Sequence, residues 1–257
     1  MNKVRRRRRT NVQLKSDIMA AVERLVIKHG FTNVKLSALL QEAEIQPNIY
    51  YGHYGTMDKL FEELASKYNF WLNGVLNLSE LSYLSPREFF AKMLKTLYTS
   101  LEEEPVMQKL LLWELSENNP ITRKTAGMRD IMTTSLLAYY SGIFKSSGTD
   151  IKNVIAILFA GIYYLVLHRE CSTLWSVDFN TDEGRESFFA AVDTLTDAIF
   201  DKIEREQQLQ AMIREMQDDK IPLEKISIYL NLPVQQLKKI ITLDKISEKT
   251  SELFDSC

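Results

Sequence analysis

The sequence predicts an all-α protein: a small N-terminal three-helix unit built around a helix-turn-helix, a larger helical domain, and a C-terminal helical extension. Three observations carry this expectation. Apolar residues recur at helical spacing along nearly the whole chain, nine glycines and six prolines act as its punctuation, and strands are not evident. At 257 residues and 45% hydrophobic, the chain holds one large or two modest domains with a buried core.

Taken in order, Ser16 is placed to cap a first helix whose apolar positions Ile18, Ala21, Val22, Leu25 and Val26 fall on one face, and Gly30 ends it. A short second helix carries Leu36, Leu39, Leu40 and Ala43 on one side. A third begins near Gln46 with Pro47 in its first turn. Thr56 caps a fourth, with Met57, Leu60, Phe61 and Leu64 facing inward. Ser85-Pro86-Arg87-Glu88 is a capping-box pattern, so the next helix runs from there to about Glu104. Further helices are expected from Pro105 to Glu117, Ile121 to Lys145 and Ile151 to Cys171, and from a cap at Thr181 to about Asp218. Pro222 to Ile241 reads as two short helices around Asn231-Leu232-Pro233. The expected divisions are a basic arm over 1–15, the helix-turn-helix over 16–66, the larger domain over 67–206 and the extension over 207–257. No convincing internal repeat stands out.

The net charge of −2 hides an asymmetry. Residues 1–67 hold twelve Lys/Arg against seven Asp/Glu, net +5, and the remainder holds twenty against twenty-seven, net −7. Arg5, Arg6, Arg7, Arg8 and Arg9 are consecutive and precede the first acid, Asp17. Such a block repels itself, and the functional reading is an arm that neutralises phosphates or enters a minor groove. Cys171 and Cys257 make no disulfide framework, and no charged-then-apolar leader opens the sequence, so a reducing cytoplasm is expected. The longest apolar run, Val154 to Leu167, is fourteen residues against the roughly 20 a bilayer core needs. A core helix and no membrane association are expected there.

Only Glu44-Ile45-Gln46 separates the second and third helices, the short connection of a helix-turn-helix. Leu39, Ala43, Ile45 and Ile49 are expected to form its small core. A helix laid in a major groove needs rigid backing, and the outer face here offers Gln46, Asn48, Tyr51 and His53, all hydrogen-bonding types.

The stretch from Lys15 to Leu64 resembles the TetR-type transcriptional regulators. The resemblance rests on Gly30-Phe31, on Leu36 to Ala43 (LSALLQEA), on Ile45 to Tyr54 (IQPNIYYGHY), and on Thr56 to Phe61 opening the fourth helix. It implies that Gln46, Pro47, Asn48 and Ile49 approach bases, and that Lys35, Ser37, Tyr51, His53 and Thr56 hold the DNA backbone. Two positions depart from the family pattern: Glu44 stands where a small residue, often glycine, is usual, and Met57 where lysine is usual. Lys59 is expected to replace that lysine's phosphate contact.

Reading a palindromic duplex takes two recognition helices about 34–36 Å apart, hence a homodimer. Phe188, Val192, Leu195, Ile199 and Ile203 form one stripe, and the helix holding Val154 is apolar nearly all round. An intersubunit four-helix bundle is expected to bury both. The resemblance also implies a hydrophobic small-molecule effector among the central helices, with Met107, Trp113, Met128, Met132, Tyr139, Tyr163 and His168 as candidate lining. His168 and Cys171 lie three residues apart, but two ligands are not a metal site, and no cofactor is expected.

Rival readings remain. No phosphate loop, His-Glu-x-x-His, Gly-x-Ser-x-Gly or Glu-x-x-His supports an enzyme. Gly52-His53-Tyr54-Gly55 formally matches an RNA-binding clamp without its strands. A structural or cell-division DNA-binding role, or a helical interaction module, would suit the same fold. Ile226, Leu230, Leu232 and Leu237 mimic helix-turn-helix core spacing. The extension is therefore either a second DNA reader or, more economically, a hairpin packed on the main domain or a partner.

Overall fold

The computed structural model describes residues 9–145, 147 and 149–242. Its helices are α1 (Asn11–His29), α2 (Leu36–Glu42), α3 (Pro47–His53), α4 (Met57–Lys67), α5 (Leu72–Val75), α6 (Pro86–Glu103), α7 (Pro105–Ser116), α8 (Pro120–Ile143), α9 (Ile151–His168), α10 (Asp182–Asp218) and α11 (Leu223–Leu230). Residues 234–242 are also helical. Among the described residues there is no strand, only an isolated bridge between Leu174 and Val177. The chain divides into two compact units: Met1–Asn77 with Thr96–Thr134 and Ile162–Phe179, and Leu78–Lys95 with Ser135–Gly161 and Asn180–Cys257.

In the first unit α1 begins earlier than expected. Thr10, not Ser16, is the cap: its hydroxyl accepts from the Gln13 amide and the Gln13 side chain answers the Thr10 amide, a complete capping box. Residues 11–15, expected in the arm, are thus the first turn of a helix. Ile18, Ala21, Val22 and Val26 are fully buried, and Gly30, at φ 74, stops the helix in a conformation side chains disfavour. Next to it Phe31 stacks on Trp113 of α7 at 4.5 Å, while Phe61 of α4 meets both rings edge-on at 5.3 and 5.8 Å. Each such aromatic pair contributes about 0.5–1.5 kcal/mol beyond the apolar area it buries. The same unit holds ion pairs in shielded positions. Arg129 of α8 pairs with Glu114 of α7, which also accepts from the Thr125 hydroxyl at 2.8 Å, and Arg169 pairs with Glu102.

In the second unit, the expected capping box at Ser85 forms: the Glu88 amide donates to the Ser85 hydroxyl and the Ser85 amide to the Glu88 carboxylate. Phe90 lies against Tyr140 at 5.2 Å and Phe200 at 5.8 Å, and Phe144 against Phe200 at 5.5 Å. Arg87 reaches Asp197, Asp201 and Glu204 of α10 at 3.1, 2.6 and 2.9 Å, binding α6 to that helix. Thr181 caps α10 by accepting from the Gly184 amide. The far end of α10, α11 and residues 234–242 share a separate core of Ile213, Ile226 and Leu237, flanked by Leu209, Ile221 and Leu230. The extension therefore packs on the end of α10.

Among the described residues one helix, α9, is long and apolar enough to cross a bilayer, with mean hydropathy 1.7. The expected core helix differs in one respect: only 22% of that window is buried within the chain, and Ile157 and Tyr164 are 71% and 52% exposed. A helix apolar all round has more sides than one chain's neighbours cover.

Candidate nucleic-acid interface

The turn between α2 and α3 is set by backbone geometry. Ala43 closes α2 in the right-handed region, Glu44 turns left-handed at φ 51, and Gln46 returns to extended backbone as the cap of α3. The Glu44 amide donates to the Gln41 carbonyl at 3.2 Å and the Ile45 amide to the Leu40 carbonyl at 3.1 Å, satisfying carbonyls that the helix end leaves open. The family's usual small residue at this position thus has a physical reason here: the turn needs positive φ.

Behind α3 lie Leu39, Ala43 and Ile45, all buried as expected, whereas Ile49 is half-buried. The main anchor is Tyr50, fully buried. Its phenol donates to the Thr56 carbonyl at 3.0 Å, with the Met57 sulfur at 3.3 Å beside it, tying α3 to the start of α4. Met57 therefore serves as a packing and accepting group where the family pattern has lysine. Burial pushes the Tyr50 and Tyr54 phenols up to about 12, so both stay neutral at physiological pH.

With its back fixed, α3 turns Gln46, Pro47, Asn48 and Tyr51 to solvent, Tyr51 with 56% of its surface free; His53 is half-buried. Lys35, at the start of α2, and Ser37 are exposed nearby in sequence. Thr56 caps α4, its hydroxyl accepting from the Lys59 amide at 3.3 Å, and the Lys59 side chain is exposed. Gly52 and His53 lie inside α3, which removes the glycine clamp of an RNA-binding loop.

Arg9 departs from the expected free arm. Its guanidinium donates to the Ala43 carbonyl at 2.9 Å, pairs with Asp17 at 3.2 Å and lies 3.7 Å from the Glu44 carboxylate, so it braces the turn. Arg5, Arg6, Arg7 and Arg8 lie outside the described residues.

The head is joined to α7 through Glu117, which the sequence did not single out. The Thr32 hydroxyl donates to one carboxylate oxygen at 2.8 Å and the Trp113 indole to the other at 3.0 Å. These donors, Thr32 first, hold the Glu117 carboxyl below the ordinary carboxylate range. A cleft of about 500 Å³ opens here, lined by Phe31, Lys59, Phe61, Trp113, Glu117 and Ile121 among others. Trp113 is the one candidate effector residue that lines it, and its ring and indole nitrogen are already occupied. Met107 is fully buried; Met128, Met132, Tyr139, Tyr163 and His168 are half-buried. His168 stacks on Tyr164 at 5.0 Å, and Cys171 is exposed. The buried Glu114–Arg129 pair, near Tyr163, gives this interior a polar feature that the methionine and aromatic pattern did not announce.

Of the expected interface residues, Leu195 is exposed and Val154, Phe188 and Ile199 are half-buried. Val192 and Ile203, at 4% and 2% exposure, are buried within the chain, on the inward side of α10.

A helix-turn-helix held by a buried tyrosine, at the head of an otherwise helical chain, defines the TetR-type architecture. Three solved structures share this fold. Salmonella enterica GusR is 13% identical, with 77% of this chain and 98% of that one covered, at a TM-score of 0.53. A TetR-like transcriptional regulator from Rhodococcus sp. RHA1 is 17% identical, covering 74% and 96%, at 0.51. A member of the TetR transcriptional regulator family from Streptomyces coelicolor is 17% identical, covering 70% and 88%, at 0.50. At these identities the likeness is one of fold. No protein-family model matches the sequence, and no curated protein is similar to it.

Proposed function

We propose that the chain is a cytoplasmic, DNA-binding transcriptional regulator, a repressor that reads a palindromic duplex as a homodimer and is released by a hydrophobic small molecule. The observation that carries this reading is α3 itself. Its inner side is pinned by Tyr50, and its outer side carries Gln46, Asn48 and Tyr51, whose amides and hydroxyl suit base edges and phosphates. Lys35, Ser37, His53, Thr56 and Lys59 flank that row in sequence, and the arginines at 5–8 add the charge that the head lacks. Residues 35–59 themselves hold two lysines against Glu42, Glu44 and Asp58.

Two copies are needed to meet two half-sites. Ile157, Tyr164 and Leu195, exposed in one chain, are apolar positions that a partner's α9 and α10 would cover, which favours an intersubunit bundle over a bilayer for α9. Effector binding would act through α7, α8 and α9, from residues such as Met107, Met128, Met132 and Tyr163. The Glu117 junction offers the route by which a shift of α7 reaches the head. An effector that prefers the conformer with altered α3 spacing lowers duplex affinity by that preference alone.

The test is selection of bound sequences from a random duplex pool, followed by titration of Tyr51→Ala on the enriched site. Tyr51 contributes exposed surface rather than core, so the variant is expected to bind at least about tenfold more weakly with an unchanged melting temperature. A chain that enriches no duplex overturns the reading, and equal binding removes Tyr51 from the contact set.

A further inference from the structure

The C-terminal segment rebuilds the local architecture of α2 and α3 at a constant offset. Asn231 turns left-handed at φ 52 where Glu44, 187 residues earlier, does so at φ 51. Five backbone hydrogen bonds recur at that same offset. Leu39 to Lys35 (3.1 Å) matches Ile226 to Pro222 (3.0 Å), Glu44 to Gln41 (3.2 Å) matches Asn231 to Ile228 (3.3 Å), and Ile45 to Leu40 (3.1 Å) matches Leu232 to Ser227 (3.1 Å). Ile49 to Gln46 (3.1 Å) and Tyr50 to Gln46 (3.3 Å) match Gln236 to Pro233 (2.9 Å) and Leu237 to Pro233 (3.1 Å).

The buried anchors follow the same offset: Val26 with Ile213, Leu39 with Ile226, and Tyr50 with Leu237, none more than 2% exposed. The end of α10, α11 and residues 234–242 thus each bury a residue at the offset of one buried in α1, α2 and α3. A hydrogen bond from the Ser227 hydroxyl to the Leu232 carbonyl, at 2.6 Å, further fixes this second turn.

The outward faces decide the partner. The positions equivalent to Asn48, Ile49, Tyr51 and Gly52 are Gln235, Gln236, Lys238 and Lys239, all exposed. From Pro222 to Thr242 there are three lysines against the single acid Glu224, in a portion of the chain that is otherwise net negative. Amides suit base edges and ammonium groups suit phosphates, so the face is complementary to a nucleic-acid duplex. We propose that the unit ending in helix 234–242 is a second DNA reader in the same chain, with Gln235, Gln236, Lys238 and Lys239 as its contact set. This rests on the reading of α2 and α3 as a DNA reader, from which the equivalence is carried over.

The experiment titrates full-length protein against fluorescent duplex DNA of random sequence over a range of salt concentrations. It compares wild type, Lys238→Gln/Lys239→Gln, and Tyr51→Ala. Both lysines are exposed and removed from the Ile226–Leu237 core, so circular dichroism and the melting curve should not change. The double variant is expected to flatten the slope of log affinity against log salt by about 2 per protomer, near 0.9 for each phosphate no longer neutralised. Wild-type slope and affinity in that variant, with Tyr51→Ala impaired, would overturn the second reader and leave the first standing. Impairment by the lysine changes alone would sustain the second reader and remove Tyr51 from the contacts of the first.

Ile228 and Tyr229, 76% and 63% exposed on α11, supply the contrary arm. If Ile228→Glu/Tyr229→Glu alters the oligomeric mass while the lysine variant binds DNA as wild type does, the unit docks protein and the proposal fails.

Discussion

Glu44 combines two opposed features, a left-handed backbone and a carboxylate in the turn that leads into α3. A side chain in that region costs about 1–2 kcal/mol, and glycine's greater freedom when unfolded returns about 0.5–1 of it. Glu44→Gly is therefore expected to leave stability within about 1 kcal/mol. Arg9 keeps Asp17 and the Ala43 carbonyl as partners. Binding to duplex DNA should tighten severalfold, since a negative charge leaves the turn; titration of both proteins at fixed salt checks this, and weaker binding would show that the carboxylate supports docking through Arg9. The exposed row Gln46, Asn48 and Tyr51 was legible in the sequence because a seven-residue helix has few ways to face its backing. The bracing by Arg9 was not, since partners some 35 residues apart leave no periodic trace. Tyr50 as the buried anchor was not legible either, as a tyrosine at that spacing reads equally well as surface.

Helix ends show where local rules suffice. The caps at Ser85, Thr56 and Thr181 form as their sequences imply. At α1 the expected cap Ser16 gives way to Thr10, whose reciprocal pair with Gln13 starts the helix earlier. Tertiary junctions lie beyond such rules: Thr32 and Glu117 meet across 85 residues. Glu117 carries a pH signature. Its folded carboxyl titrates below its unfolded one, so its contribution is fully present above the unfolded value and is lost as pH falls through the folded value. Glu117→Gln should lower the melting temperature at neutral pH, and the gap to wild type should close on acidification through and below the ordinary carboxylate range. Thermal scans across pH provide the measurement, and parallel curves would mean that the junction holds without the charge.

For the whole molecule, the all-α class and helix order were legible from periodicity, and the fold likeness agrees. Spacing marks the apolar stripe of α10 without saying which neighbour covers it: Val192 and Ile203 are buried within the chain. Ile157 and Leu195 remain exposed. Replacing both with arginine should convert a dimer to a monomer by sedimentation and weaken binding to a palindromic duplex by about a hundredfold or more, through loss of linked half-sites. An unchanged mass would place the contact elsewhere. The helix-turn-helix spacing of Ile226, Leu230, Leu232 and Leu237 was legible in the extension, but its residue-by-residue recurrence of the α2–α3 turn was not, because over residues 35–53 and 222–240 only Leu36 and Leu223 are identical. What the two share is a handful of packed positions and one backbone angle. A scaffold specified so sparsely leaves its outer surface open to mutational drift, so two such devices in one polypeptide can diverge in specificity while neither loses its shape.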